Sequence, residues 1–361
     1  MRKKSLSFLK AILAAPSPSG YEQPVQRIFR EYVGEFADDV KTDLHGNVIA
    51  AINPSGSPRI MFAGHCDELG FQITYINDSG FLHFKAIGGH DVAIIPGRRV
   101  QIHTKNGVVK GVIGKRAIHL MSDEERNKPK VEIESFWIDI AVKDRDEALG
   151  LVAIGDAVTY DLSFDEMRNG IVTSRAFDDK AGAFVVAETL RILAENRDKL
   201  KAAVFGVSTV QEEIGLRGAT TAAFGVDPQV GVAVDVTHAT DSPDMDKRKA
   251  GEVKLGGGPV ITRGANINPV VFDRLVQAAS TKTDGGEDPS YQIDAAPRGT
   301  GTDANAIQLT RAGVAAGLVS IPLRYMHTAV EMVALADLES SAQLLATFAQ
   351  AVEPDTSFIP A

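Results

Sequence analysis

Ala181–Asn196 (AGAFVVAETLRILAEN) followed by Ala202–Thr209 (AAVFGVST) decides how the rest of the chain is read. The first stretch has the length and apolar spacing of a helix, the second those of a buried strand. The same alternation continues downstream, with strands over Val230–Asp235 and Ala315–Ile321 and helices over Pro269–Lys282 and Ala336–Val352. Strands alternating with helices predict an α/β layered domain with a mainly parallel central sheet. Upstream, Leu6, Leu9, Ile12 and Leu13 form one helical stripe that Pro16 stops, and Val25–Phe36 reads as a second helix. Asn47–Ile52 and Arg59–Ala63 read as strands of the same domain.

The texture changes between about residues 69 and 164. Short β-type runs follow one another there: Phe71–Ile76, Phe81–Ala86, Arg99–Thr104, Val108–Ile113, Phe136–Val142 and Ala157–Leu162. Asn106-Gly107 between two of them is a hairpin signal. Strands at this spacing predict a small β-barrel or sandwich. The expected organisation is therefore an α/β domain made of residues 1–68 and 165–361, with a β module at 69–164 inserted into it. The 361-residue length suits two domains at about 150 residues each.

Composition narrows the classes of function. With 38 basic against 47 acidic residues the net charge is −9, which speaks against general nucleic-acid binding. The single cysteine, Cys66, allows no intrachain disulfide and suits a reducing cytoplasm. Met1-Arg2-Lys3-Lys4 superficially resembles the start of a secretory signal, but Lys10 interrupts the apolar stretch that a signal needs over about 7–15 residues. No apolar run approaches the ~20 residues of a membrane span. A cytoplasmic location, without membrane or nucleic-acid partners, is expected.

Open α/β sheets bind ligands beyond the carboxyl ends of their strands. Five such strand or helix ends each carry a histidine or an acid: His65 and Asp67 after Ile60–Ala63, Asp178-Asp179 before the 181–196 helix, Glu212-Glu213 after Val204–Thr209, Asp235 closing Gly231–Val234, and His327 after Ala315–Ile321. Each has an ordinary reading. Asp178-Asp179 could be an N-cap pair, Glu212-Glu213 a solvated turn, and His65 with Asp67 a wet strand end. The sharper reading makes Asp178 a carboxylate shared by two metals. It splits the glutamates, one on a metal and one facing substrate as general base; an extended segment would turn the two to opposite sides. Asp67 would fix the tautomer and orientation of a metal-bound His65. Cys66, between two site residues, is expected to point away as a small buried hydrophobe. His45, His83, His90, His103, His119 and His238 lack the strand-end context and read as packing or surface residues.

In order along the chain stand Gly64-His65-Cys66-Asp67-Glu68-Leu69-Gly70-Phe71, Gly88-Gly89, Pro96–Val100, Phe177-Asp178-Asp179-Lys180, Gln211–Ala219, Asp235-Val236-Thr237, Gly299–Asn305 and Met326-His327-Thr328. Together they resemble the M42 family of dinuclear metallo-aminopeptidases, which includes tetrahedral and glutamyl aminopeptidases and some proteins labelled endoglucanase. The resemblance runs from about Ser5 to Gln350, and Pro16–Tyr21 resembles the family's opening. Cys66 stands where the family would place methionine, and Asp244-Met245-Asp246 where its loop often carries glycine.

The resemblance implies a three-layer α/β aminopeptidase domain with an inserted β-barrel for oligomerisation and substrate access. It implies that His65 and Asp235 hold one metal, Glu213 and His327 the other, and that Asp178 bridges both. Glu212 would be the general base on a water between the metals, Asp67 the residue that orients His65, and the Asp178–Asp179 peptide bond cis. Nitrogen and carboxylate ligands without thiolate suit two Zn²⁺, with Co²⁺ or Mn²⁺ as substitutes. The implied activity is removal of N-terminal residues from peptides by a homo-oligomer, a dodecamer built from dimers. Rival readings are hydrolysis of another amide such as an N-acyl amino acid, a glucanase, and a non-catalytic assembly protein. The pocket's side-chain preference is not legible.

Overall fold

The computed structural model describes residues 1–126, 131–281 and 290–360. Its largest sheet has eight strands in the order β1-β2-β12-β3-β13-β16-β14-β15. These are β1 (Asp39–Thr42), β2 (Val48–Ile52), β3 (Arg59–His65), β12 (Ala203–Thr209), β13 (Val230–His238), β14 (Val260–Gly264), β15 (Gln292–Ala296) and β16 (Ala315–Leu323). The middle four, β12-β3-β13-β16, run parallel. Ile60, Met61, Phe62 and Ala63 of β3 are fully buried, as a strand covered on both faces requires. The sheet is more mixed than expected. β2 pairs antiparallel with both β1 and β12, and β14 runs antiparallel to β16. β1 and β15 are edge strands; β1 is mostly polar and exposed and β15 alternates between half-buried and exposed, so no apolar run announces either in the sequence.

Helices pack on both faces of this sheet. Leu190 and Val186 of the Phe177–Glu195 helix press on Gly206, and Val271 of the Pro269–Ala279 helix on Gly317, both on one face. Ile307 covers Gly231 on the other. The helices at Lys3–Ala14, Gln23–Val33 and Leu335–Gln350 were expected within a few residues, whereas Arg217–Val226 was not. The expected helix from Pro269 ends at Ala279, and Lys282 lies outside the described residues. Phe8, Leu9, Ile12 and Leu13 of the first helix are buried in the main core. Among the described residues no helix is long and apolar enough to cross a membrane.

Between β3 and the rest of the sheet the chain builds a closed barrel, β4-β5-β8-β7-β6-β9. Its strands are β4 (Gly70–Ile76), β5 (Leu82–Ile87), β6 (Arg99–Thr104), β7 (Gly107–Gly114), β8 (Trp137–Asp139) and β9 (Ala157–Tyr160). Phe71, Ile73, Val100, Ile102, Ile113, Ile138 and Val158 fill it as a core separate from the main one. The hairpin turns one residue earlier than Asn106-Gly107: Thr104 pairs with Gly107, which opens β7 at φ +121°. β8 is shorter than the expected Phe136–Val142 because Ala141 is left-handed and its N–H folds back onto Asp139. A three-stranded sheet of β10 (Asp165–Glu166), β11 (Ile171–Ser174) and β17 (Glu331–Ala334) lies beside the main one. It aligns Ser174 with Glu331 and so places the Phe177–Glu195 helix start next to the loop carrying His327.

Candidate metal centre

The carboxyl ends of the parallel strands converge on one buried cluster. His65 is the last residue of β3 and is aligned with Thr209 of β12, whose next residues are Val210–Glu213. The start of the Phe177–Glu195 helix comes unusually close to β3. A Cβ on Gly64 would lie 2.4 Å from the Gly182 backbone, so glycine there lets the helix start reach His65. The Asp178–Asp179 peptide bond is cis, as expected, and these two residues are not helical despite lying within the helix bounds.

Asp178 sits between two imidazoles. Its Oδ1 lies 3.3 Å from His65 Nε2 and its Oδ2 3.3 Å from His327 Nε2. Glu212 Oε2 is 3.7 Å from His65 Nε2, and Glu213 Oε2 is 3.8 Å from His327 Nε2. Possible ligand atoms of His65, Asp178 and Glu213 lie within 4.8 Å of one another, as do those of His65, Asp179 and Asp235. The structure thus brings together His65, Asp178, Glu212, Glu213, Asp235 and His327, and Asp67 touches His65 Nδ1 at 3.4 Å. His327 is the most exposed of them, at 42%, and marks the open side.

The aspartate pair divides between its two readings. Asp179 does what a cap does: Oδ1 accepts the Gly182 N–H at 2.9 Å, and Oδ2 accepts the His65 N–H at 3.1 Å. Asp178 faces the imidazoles. The Glu212-Glu213 segment is not extended as expected. Gln211 is left-handed at φ +55°, and the Glu212 carbonyl closes a turn by accepting from Gly215 and Leu216. The side chains still diverge, one toward each histidine. Asp235 lies inside β13 rather than at its end, because the strand continues to His238. Cys66 is buried in the main core, pointing away from the cluster as expected. His90 and His103 pack through hydrogen bonds to Gly70 and Thr159, while His119 and His238 are exposed.

Acids are concentrated here, and burial makes several of them costly to ionise. Burial first, then neighbouring acids, pushes the Glu212 carboxyl up to about 9 and Asp235 to about 8. Glu213 and Asp179 are raised well above the usual range for the same reasons. Burial also works against ionisation of Asp178, but the His327 and His65 imidazoles outweigh it and hold that carboxyl below the usual range. Glu213 Oε1 is buried without a hydrogen-bond partner. A buried carboxylate oxygen left unpaired is costly, and a cation is the partner this donor set fits.

Three buried acids that the sequence did not single out brace the cluster. Glu331 accepts the Asp178 N–H at 3.1 Å through one oxygen and the His327 N–H at 3.2 Å through the other. Asp303 accepts the Thr209 hydroxyl at 2.6 Å. Glu68 is paired with Arg175 and, at 2.8 Å, with the fully buried Lys180. Burial alone would raise Glu68, but these two cations hold it at about 2. Glu331 had a usable signal: an acid inside the apolar run Val330–Val333 is desolvated unless it is paired.

The model of the M42 glutamyl aminopeptidase family matches residues 46–344. The chain belongs to the M42 peptidase family. It is, with that family, a hydrolase of peptide bonds. It is 34% identical over 349 residues to the lysyl aminopeptidase of Pyrococcus furiosus, covering 96% of this chain and 97% of that one. Its fold is similar to a TET aminopeptidase from a marine sediment thaumarchaeon, with TM-score 0.90, 32% identity and coverage of 97% and 98%. It is also similar to the TET1 peptidase of Pyrococcus horikoshii, which can assemble into a tetrahedron or a large octahedral shell (TM-score 0.83, 32% identity, coverage 96% and 100%). M42 peptidases are metal-dependent, and the cluster around Asp178 is of the kind that could hold metal.

Proposed function

We propose that this M42 peptidase is a dinuclear metal-dependent aminopeptidase that removes N-terminal residues from peptides. The observation that carries the reading is Asp178, whose two oxygens each face a different imidazole at 3.3 Å. His65 and Asp235 would hold one divalent cation, Glu213 and His327 the other, with Asp178 shared. The donors are carboxylate oxygen and imidazole nitrogen without thiolate, which suits Zn²⁺ and accommodates Co²⁺ or Mn²⁺. Bound there, such cations supply Lewis acidity: they polarise a carbonyl, acidify water toward neutral pH and stabilise developing negative charge.

The chain's own groups do the rest. Asp67 holds His65 through Nδ1, leaving Nε2 for the shared site. Glu212 lies beside the ligands without being one of them. It takes a proton from the attacking water and returns it to the departing amine. A buried carboxyl pushed up to about 9 keeps a high proton affinity, and positive charge beside it lowers that value toward the operating range.

Dialysis against EDTA is expected to abolish hydrolysis of aminoacyl-coumarin substrates, and Zn²⁺, Co²⁺ or Mn²⁺ to restore it. Full activity in protein shown by elemental analysis to be metal-free would reject the reading. The same panel ranks side-chain preference, and an N-acetylated counterpart separates an aminopeptidase from an N-acyl amide hydrolase. A glycosidase is disfavoured, because its two carboxylates usually flank the sugar about 5–9.5 Å apart and need no metal.

We further propose that residues 1–68 and 165–361 form the catalytic domain and 69–164 a domain for oligomerisation and substrate access. The strands of the main sheet flank the barrel on both sides in sequence, which supports the division. The dodecameric TET1 peptidase, to which this chain is similar, supports a dodecamer here. Size-exclusion chromatography with light scattering is expected to give about twelve times the 38.5 kDa chain mass, and a clean monomer would contradict it.

A further inference from the structure

We infer that Glu22 is a positioning residue for the Glu212-Glu213 pair, an inference that rests on the roles proposed above. Four successive backbone N–H groups, Val210 to Glu213, donate to side chains from distant segments. Val210 donates to Asn47 Oδ1 at 3.1 Å and Gln211 to Glu22 Oε1 at 3.1 Å. Glu212 donates to Asp67 Oδ1 at 3.0 Å and Glu213 to Asp67 Oδ2 at 3.2 Å. No turn of Val210–Glu213 is free to slide without losing one of these acceptors.

Glu22 holds the strained member of the run. Gln211 has φ +55°, a left-handed backbone that a non-glycine residue adopts only when its surroundings impose it. A change of backbone at Gln211 would swing the next side chain, Glu212, away from the histidines. Glu22 stands at the start of the Gln23–Val33 helix, and its side chain caps none of that helix's N–H groups. The carboxylate is 3% exposed and uses Oε1 for the Gly20 N–H at 2.8 Å and the Gln211 N–H, 189 residues away. Glu22 precedes the residues matched by the family model, 46–344. One carboxylate oxygen thus ties the turn before this helix to the left-handed residue next to the proposed base.

The test compares two substitutions of similar size in the metal-loaded enzyme. Glu22→Met fills the volume but removes the acceptor. It is expected to lower kcat about tenfold or more with KM changed less than about twofold, measured below its own Tm. Glu22→Gln keeps an oxygen able to accept from both N–H groups and is expected to recover most of that loss. Glu22→Met with wild-type kcat, or Glu22→Gln as impaired as Glu22→Met, overturns the inference. Gln211→Gly added to Glu22→Met serves if the single variant folds poorly. Glycine takes the left-handed backbone unaided, so kcat rises again; no recovery overturns the inference. Glu212→Gln is assayed alongside: if it is inactive while Glu22→Met is not, only this inference falls, and if it is fully active the roles proposed for the glutamates fall first.

Discussion

Glu212→Gln is expected to retain two equivalents of metal while kcat on aminoacyl-coumarin substrates falls about 10²–10⁴-fold, the range that a general acid–base contributes. The amide keeps the size of the side chain and the N–H bond to Asp67. What it loses is the ability to take a proton. Glu212 stands 3.7 Å from His65 Nε2, beside the ligands, and the proposed ligand set is complete without it. The pH dependence gives a second readout. A base must be unprotonated to work, so wild-type kcat/KM falls as pH drops below the pKa of Glu212. That limb should flatten in Glu212→Gln, whose remaining activity no longer depends on this group. A variant hydrolysing at near wild-type rate would dismiss Glu212 as the base.

Asp178→Ala should act one step earlier, on metal content itself. Among the described residues, Asp178 is the one whose two oxygens reach both histidines, so its removal leaves neither proposed site a complete set. The expected result is less than about one equivalent of metal after desalting, with activity at background. Thermal stability separates lost binding from lost folding. A ligand present at a hundred times its Kd stabilises by about 2.7 kcal/mol, so adding metal should raise the Tm of the wild type and leave that of Asp178→Ala where it was. The variant is expected to fold, because the backbone around it is held independently, by Glu331 on its own N–H and by Asp179 on Gly182 and His65. Two tightly held equivalents in Asp178→Ala would exclude a shared carboxylate.

Much of this architecture is legible without coordinates. The α/β alternation, the β-rich middle and the buried strand Ile60–Ala63 follow from periodicity and continuous apolar runs, which are local properties of a chain. The edge strands Asp39–Thr42 and Gln292–Ala296 are not legible, because exposed residues interrupt both and neither carries a continuous apolar run. At the site, residues at strand ends can be found because the sheet's geometry says where to look. The bracing acids are harder to find: Glu331 offers a signal in its apolar run, but Asp303 and Glu68 meet a hydroxyl and two buried cations that come from distant segments.

Periodicity alone puts His65, Asp178, Glu213 and His327 at or just past the ends of elements, and Asp235 within an apolar strand. The folded chain sets which aspartate of the pair faces the imidazoles and which glutamate faces which histidine. Asp178 faces two histidines while Asp179 turns back onto His65 and Gly182, a split that adjacent identical residues cannot encode. It also decided that Glu22, Asp67 and Glu331 hold segments up to 189 residues away. The physical reason is one of range. Burial and period are fixed by near neighbours, whereas the direction of a carboxylate depends on which distant N–H or cation lies opposite it once the chain has closed.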